Sequence, residues 1–197
     1  MRKNLRIVAF LLAASFYASS NVWAQGMEAG APQPAVNLHT LKSQMEAFQT
    51  ALNRNIQGSF EQPFALLQDA KGTYLPDFGV AFHLEVNLYP MRLITPFDMR
   101  PYTPAELTKA RSSKMERIRA LRKSLSGLLL EQGEKLGALP PEQNIAVVVH
   151  LFNLPSEQSV DMPTQLVLET SRRALLESKA QRMTAEDFQN KVTFLAF

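Results

Sequence analysis

Over residues 80–88 apolar and polar side chains alternate without a break. Val80, Phe82, Leu84, Val86 and Leu88 fall on one side of an extended chain, and Ala81, His83, Glu85 and Asn87 fall on the other. Such a strand has one face against a core and the other at least partly wet. It needs partner strands and a layer of helix over its apolar side.

The rest of the chain supplies both. Leu38, Leu41, Met45, Phe48 and Leu52 recur at alternating spacings of three and four, which predicts an amphipathic helix ended by residues 53–58. Thr103, Pro104 and Glu106 form a helix start, with Thr as cap, Pro at the first helical position and Glu placed to complete a capping box. That helix is expected to stop at Gly133, giving about 29 residues and about 44 Å of length. Leu107, Ile118, Leu121, Leu125, Leu128 and Leu129 make its apolar face, and Ser124, Ser126 and Gly127 mark where it would kink or stop early.

Further strands are expected at 64–68, 145–152, 166–168 and 192–197. Lys71-Gly72 reads as a turn after the first of these, and the nearly unbroken apolar run at 145–152 reads as a central strand covered on both faces. Short helices are expected at 173–181 and 185–190, the second opened by a capping box at Thr184 and Asp187. Residues 89–103 hold Pro90, Pro96 and Pro101 and cannot be regular helix or central strand. The expected fold is α+β: residues 36–197 as a single domain, with a mixed, mostly antiparallel sheet of about five strands packed with one long and several short helices.

The first 24 residues read as an export leader. Arg2, Lys3 and Arg6 precede an apolar run at 7–14, and Val22-Trp23-Ala24 supplies small residues for a cut before Gln25. The run is too short for a permanent membrane span. Residues 25–35 then read as a flexible tether. The leader takes three of the 21 basic residues and none of the 18 acidic ones, leaving a mature chain of 18 against 18. That balance argues against a nucleic-acid partner. The absence of Cys excludes disulfides, thiolate metal sites and a cysteine nucleophile, and 46% hydrophobic residues exclude a disordered polar tract.

The segment Tyr74-Leu75-Pro76-Asp77-Phe78-Gly79-Val80-Ala81-Phe82 resembles a signature of uncharacterised secreted bacterial proteins, which runs approximately Tyr-Leu-Pro-Gly-Tyr-Gly-Val-Val-Phe. The later layout is also similar: a basic helix, an apolar strand and a closing turn at 183–188. Asp77 stands where Gly is more usual. The resemblance implies export and carries over no activity and no catalytic residue.

Three sets of residues are candidates for function. The aromatic turn of Tyr74, Pro76, Asp77 and Phe78 is either a ligand or partner loop or a structural turn folded back on the core. The long helix carries Lys109, Arg111, Lys114, Arg117, Arg119, Arg122 and Lys123 against Glu116 alone. Lys109, Arg119 and Lys123 lie opposite its apolar sector, where they would meet an anionic surface or pair with acidic residues elsewhere. Arg111, Lys114 and Arg122 border that sector and are expected to send their charges to water. His83 and Glu85 share a strand face, and with His150 on a paired strand the three either meet as a site or stand as unrelated polar positions on the sheet.

No H-x-x-x-H, H-E-x-x-H, G-x-S-x-G or phosphate-binding glycine loop occurs. The pattern therefore points to an exported, periplasmic or secreted, non-catalytic binding protein of the bacterial envelope. It is expected to have no metal or cofactor, an unidentified protein or envelope component as partner, and a peripheral contact with an anionic surface. The alternative is a small hydrolase or metal-assisted enzyme using His83, Glu85 and His150.

Overall fold

A computed structural model describes residues 36–58, 65–88, 100–155 and 162–197. The leader and tether expected at 1–35, the proline-rich stretch at 89–99 and the first residue of the strand expected at 64–68 lie outside these residues. In chain order the elements are α1 (Leu38–Gly58), β1 (Ala65–Leu75), β2 (Gly79–Asn87), α2 (Pro104–Gln132), β3 (Asn144–Leu151), β4 (Gln165–Ser171), α3 (Arg172–Lys179), α4 (Ala185–Lys191) and β5 (Thr193–Ala196). The chain is an α+β protein with one mixed sheet.

The five strands lie in sequence order. β1–β2, β3–β4 and β4–β5 are antiparallel, and β2–β3 is parallel. A parallel pair cannot be joined by a tight turn, and the connection from β2 to β3 carries the long α2. Thr103 caps α2 as its sequence requires: the Glu106 N–H donates to Thr103 Oγ1 at 3.2 Å, and the Thr103 N–H donates to Glu106 Oε2 at 2.7 Å. The helix runs unbroken past Ser124 and Gly127. Ser124 Oγ donates to Asn55 Oδ1 of α1 at 2.8 Å, and a 3-10 turn at Gly133–Lys135 closes the segment.

All four helices contribute to one core on one face of the sheet. Phe82, Leu84, Val86, Val147, Val149, Leu166 and Leu168 face Leu41, Phe48 and Leu52 of α1, Leu121, Leu125 and Leu129 of α2, Leu175 of α3 and Phe188 of α4. Ile56 joins the α1 stripe, so that helix persists through residues expected to end it. Leu38, at its first turn, is 62% exposed. Each fully buried apolar side chain contributes about 1.5–3 kcal/mol, so docking the α1 stripe stabilises the fold far more than helix propensity does. The Phe48 and Phe82 rings meet with centroids 4.5 Å apart.

β1 departs from expectation. It passes through Lys71 and Gly72 as strand, with register shifts between Leu66 and Gln68 and between Gln68 and Lys71. Gly72 is there because of packing: a Cβ would come within 2.8 Å of both Met45 and Phe82. The bulged edge is also covered. The Ala70 N–H donates to Asn53 Oδ1 at 2.8 Å and the Gly72 N–H to Gln49 Oε1 at 2.7 Å, so two α1 side chains four residues apart occupy outward-facing amides of β1.

β3 was expected to be covered on both faces. Its residues are mostly buried, including Ala146 and Val148, but His150 is exposed and no described helix lies on that side.

The parallel pair is closed at both ends. Where β2 and β3 begin, the Asn144 N–H donates to Phe78 O at 2.7 Å. Gly79 has φ +130, and a Cβ there would lie 2.1 Å from Asn144 O. Where they finish, Lys114 Nζ donates to Phe152 O at 2.9 Å and to Asn153 Oδ1, and Arg117 Nη1 donates to Leu88 O at 2.8 Å. Lys114 is fully buried, which corrects the expectation that its charge reaches water. It lies four residues from both Ala110 and Ile118, inside the apolar stripe, and its ammonium occupies carbonyls that the strand ends leave free.

Two outcomes follow from this packing. In chemical denaturation Phe82→Ala is expected to cost about 3–5 kcal/mol, because a fully buried ring is lost from between α1 and the sheet, while His83→Ala on the exposed face costs well under that. Equal effects would contradict the strand phase. Gly79→Ala is expected to cost at least about 2 kcal/mol, since it combines a strained positive φ with a collision against the β3 backbone. A midpoint unchanged from wild type would contradict the close approach of β2 and β3.

Candidate functional site

The strand register sets three rows of residues across the sheet face that no described helix covers. The first is Thr73, Ala81, Ala146, Glu169 and Thr193. The second is Lys71, His83, Val148, Val167 and Leu195. The third is Gln68, Glu85, His150 and Gln165. Alternation within each strand produces this face, because residues two apart share it. Lys71, Thr73, His83, His150, Thr193 and Leu195 are exposed, whereas Ala81, Ala146 and Val148 are buried between them.

His83 and His150 come together here. Their strands are neighbours, Glu85 is directly opposite His150, and His83 lies on the diagonal with ring centroids 6.2 Å apart and planes inclined by 24°. The strand pairing on which their meeting depends is therefore present in the backbone register. Chemically it is a pair of solvent-facing imidazoles beside a half-buried carboxylate. Among the described residues no group of three or more His, Asp or Glu converges to hold a metal.

Concave surface lies elsewhere. One groove of about 740 Å³ runs between α1 and α2, past Gln44, Ala47, Arg54, Leu128 and Gln132. Another, of about 580 Å³, lies between α3 and α4. A third, of about 420 Å³, separates α2 from β5. None of the three is lined by His83, Glu85 or His150.

The aromatic turn is a hairpin loop. Residues 76–78 join β1 to β2, and the Phe78 N–H donates to Leu75 O at 3.0 Å. Pro76 and Asp77 are exposed, Phe78 is half-buried, and Tyr74 packs against the core. Buried Gln143 holds the loop through its side-chain amide, donating to Pro76 O and, at 3.4 Å, to the Tyr74 hydroxyl.

Beside it the Arg172 N–H donates to Gln143 O at 2.9 Å, and Arg172 Nη1 donates to Leu139 O. Burial lowers the pKa of Arg172, and the charge of Glu142 opposes that shift. The Glu142 carboxylate is itself held below its ordinary pKa by its own backbone N–H and by Arg173, whose guanidinium lies 2.9 Å away. Any stability from that carboxylate is present above the ordinary Glu pKa and fades as pH falls. Gln143 and Arg172 were not singled out in the sequence, because isolated polar residues flanking strands follow no period.

On α2 the basic cluster divides. Lys109, Arg119 and Lys123 are exposed, as are Arg111 and Arg122. Lys114 and Arg117 are spent on the strand ends. Arg122 stands over the Phe194 ring of β5, 4.5 Å from its centroid, and both line the third groove. The sequence placed Arg122 at the border of the apolar sector, but its aromatic partner lies 72 residues away and could not be read locally. Among the described residues no helix is long and apolar enough to cross a membrane. Compared with protein-family models, curated proteins and solved structures, the chain matches none.

Proposed function

We propose that the protein is exported by its N-terminal leader and acts in the bacterial envelope as a binding protein that does no chemistry. The observation that carries this reading is the sheet face that no described helix covers. There the buried Ala81, Ala146 and Val148 are bordered by exposed His83, His150, Lys71, Thr73 and Leu195. A sheet face whose exposed side chains surround small, closely shielded residues rather than a cavity suits a macromolecular partner better than a small substrate, which needs a concave pocket. The hairpin loop with exposed Pro76 and Asp77 lies at one end of this surface and would widen it. The alternative, a hydrolase or metal-assisted enzyme, has the stacked His83 and His150 rings in its favour. It lacks support from any of the three grooves.

Export is tested by intact mass. The product recovered outside the cytoplasm is expected to begin at Gln25, and a membrane-bound product retaining residues 1–24 would overturn that part of the proposal. Binding is tested by installing a photoreactive phenylalanine analogue at Thr73 or at His83, with Gln57 on α1 as the control. Irradiation of living cells is expected to give a discrete adduct with an envelope component from both face positions and none from the control. No adduct from either face position, or the same adduct from all three, would remove the sheet face as the contact surface.

A further inference from the structure

The two edges of the sheet differ. On β1 the outward amides of Ala70 and Gly72 are occupied by Asn53 and Gln49 of α1. On β5 nothing comparable is present among the described residues. Gln165 and Phe197 exchange both of their backbone hydrogen bonds, at 2.9 and 3.1 Å. In an antiparallel ladder such pairs alternate with pairs whose peptide groups point away from the partner strand. Phe194 and Ala196, paired with Leu168 and Leu166, therefore turn their N–H and C=O groups to the free side of β5. Ala196 is exposed, and Leu195 and Phe197 are 50% and 62% exposed.

The third groove lies along that free side. Met115, Ile118, Met162 and Phe194 give it an apolar floor, and Arg119 and Arg122 give it a cationic rim; among the described residues no Asp or Glu lines it. Both guanidinium groups belong to exposed side chains, and Arg122 is kept over the edge by the Phe194 ring.

We propose that this edge and groove bind an extended peptide segment that carries carboxylates beside an apolar side chain, added to β5 as a further strand. The outward N–H and C=O groups select a peptide backbone, which an acyl chain does not offer. Alternate side chains of an added strand point into the groove, where an apolar group meets the floor and carboxylates meet Arg119 and Arg122. A second copy of this chain is a poor occupant, because symmetric pairing of two β5 edges brings the arginine rims of both copies together. This site lies at the edge and helix side of the sheet and does not depend on the sheet face proposed above.

The test uses the full chain and two capped peptides, Glu-Thr-Leu-Thr-Glu and Lys-Thr-Leu-Thr-Lys, with amide hydrogen exchange followed by NMR. The acidic peptide is expected to slow exchange at Phe194 and Ala196 at least fivefold and to leave Ala70 and Gly72 unchanged. The lysine peptide is expected to do neither. Arg119→Glu with Arg122→Glu, both at exposed positions, is expected to weaken binding at least tenfold. Ala196→Pro, which removes an outward N–H and spares the pairing with β4, is expected to abolish the added protection while circular dichroism stays unchanged.

Equal binding of the two peptides, or protection that survives Ala196→Pro, would overturn the proposal. So would protection of the same amides by dodecanoate or phosphatidylglycerol vesicles when the acidic peptide gives none. A concentration-dependent dimer that protects them without peptide would assign the edge to a second copy. Because Thr73 and His83 lie away from β5, failure here leaves the crosslinking outcome intact, and failure there leaves this one intact.

Discussion

The parallel pairing of β2 with β3 is the constraint on which the rest of the structure depends. Every other strand pair is antiparallel, and this one makes the chain return to the end of the sheet from which it left. The 29 residues of α2 contribute to that return, and the helix places Leu121, Leu125 and Leu129 on the sheet. Its position then sets the chemistry at the strand ends. Lys114 and Arg117, one turn apart, reach the carbonyls of Phe152 and Leu88 that parallel strands leave unpaired. At the opposite end the two backbones approach so closely at Gly79 and Asn144 that no side chain fits.

Much of this was legible because the period of the sequence matched the period of the structure. The alternation at 80–88 became β2, the Thr103 and Glu106 pair became a capping box, and the Thr184 and Asp187 pair became another. β1 was misread where its period broke. Two bulges interrupt its alternation, and Gly72, taken as a turn, is a glycine because Met45 and Phe82 fill the space of a side chain. The burial of Lys114 has a signal in its spacing of four from both Ala110 and Ile118, which places it inside the apolar stripe despite its charge. The partnership of Arg122 with Phe194 had no local signal, since it joins a helix to a strand far along the chain.

The candidate surfaces follow from the same arrangement. Among the described residues the helices cover one face of the sheet, so polar residues that alternate with the core, such as Lys71, His83 and His150, are exposed on the other. The basic helix looked like one continuous patch in sequence. In three dimensions two of its cations serve the strand ends, one stacks on an aromatic ring, and the others face solvent. Local charge density along a helix is thus a weak guide to a binding face until the neighbours of each side chain are known.

The amide caps on β1 couple solubility to the seating of one helix. Gln49 and Asn53 lie on the same helix as the buried stripe from Leu41 to Ile56, so any opening that lifts α1 bares a sheet edge and its apolar floor in one event. Such an opening would create a sticky, templating strand, and its frequency would set how fast the protein self-associates under stress. Substituting either amide would remove one of the two edge caps and raise that hazard while the buried stripe of the helix stayed intact.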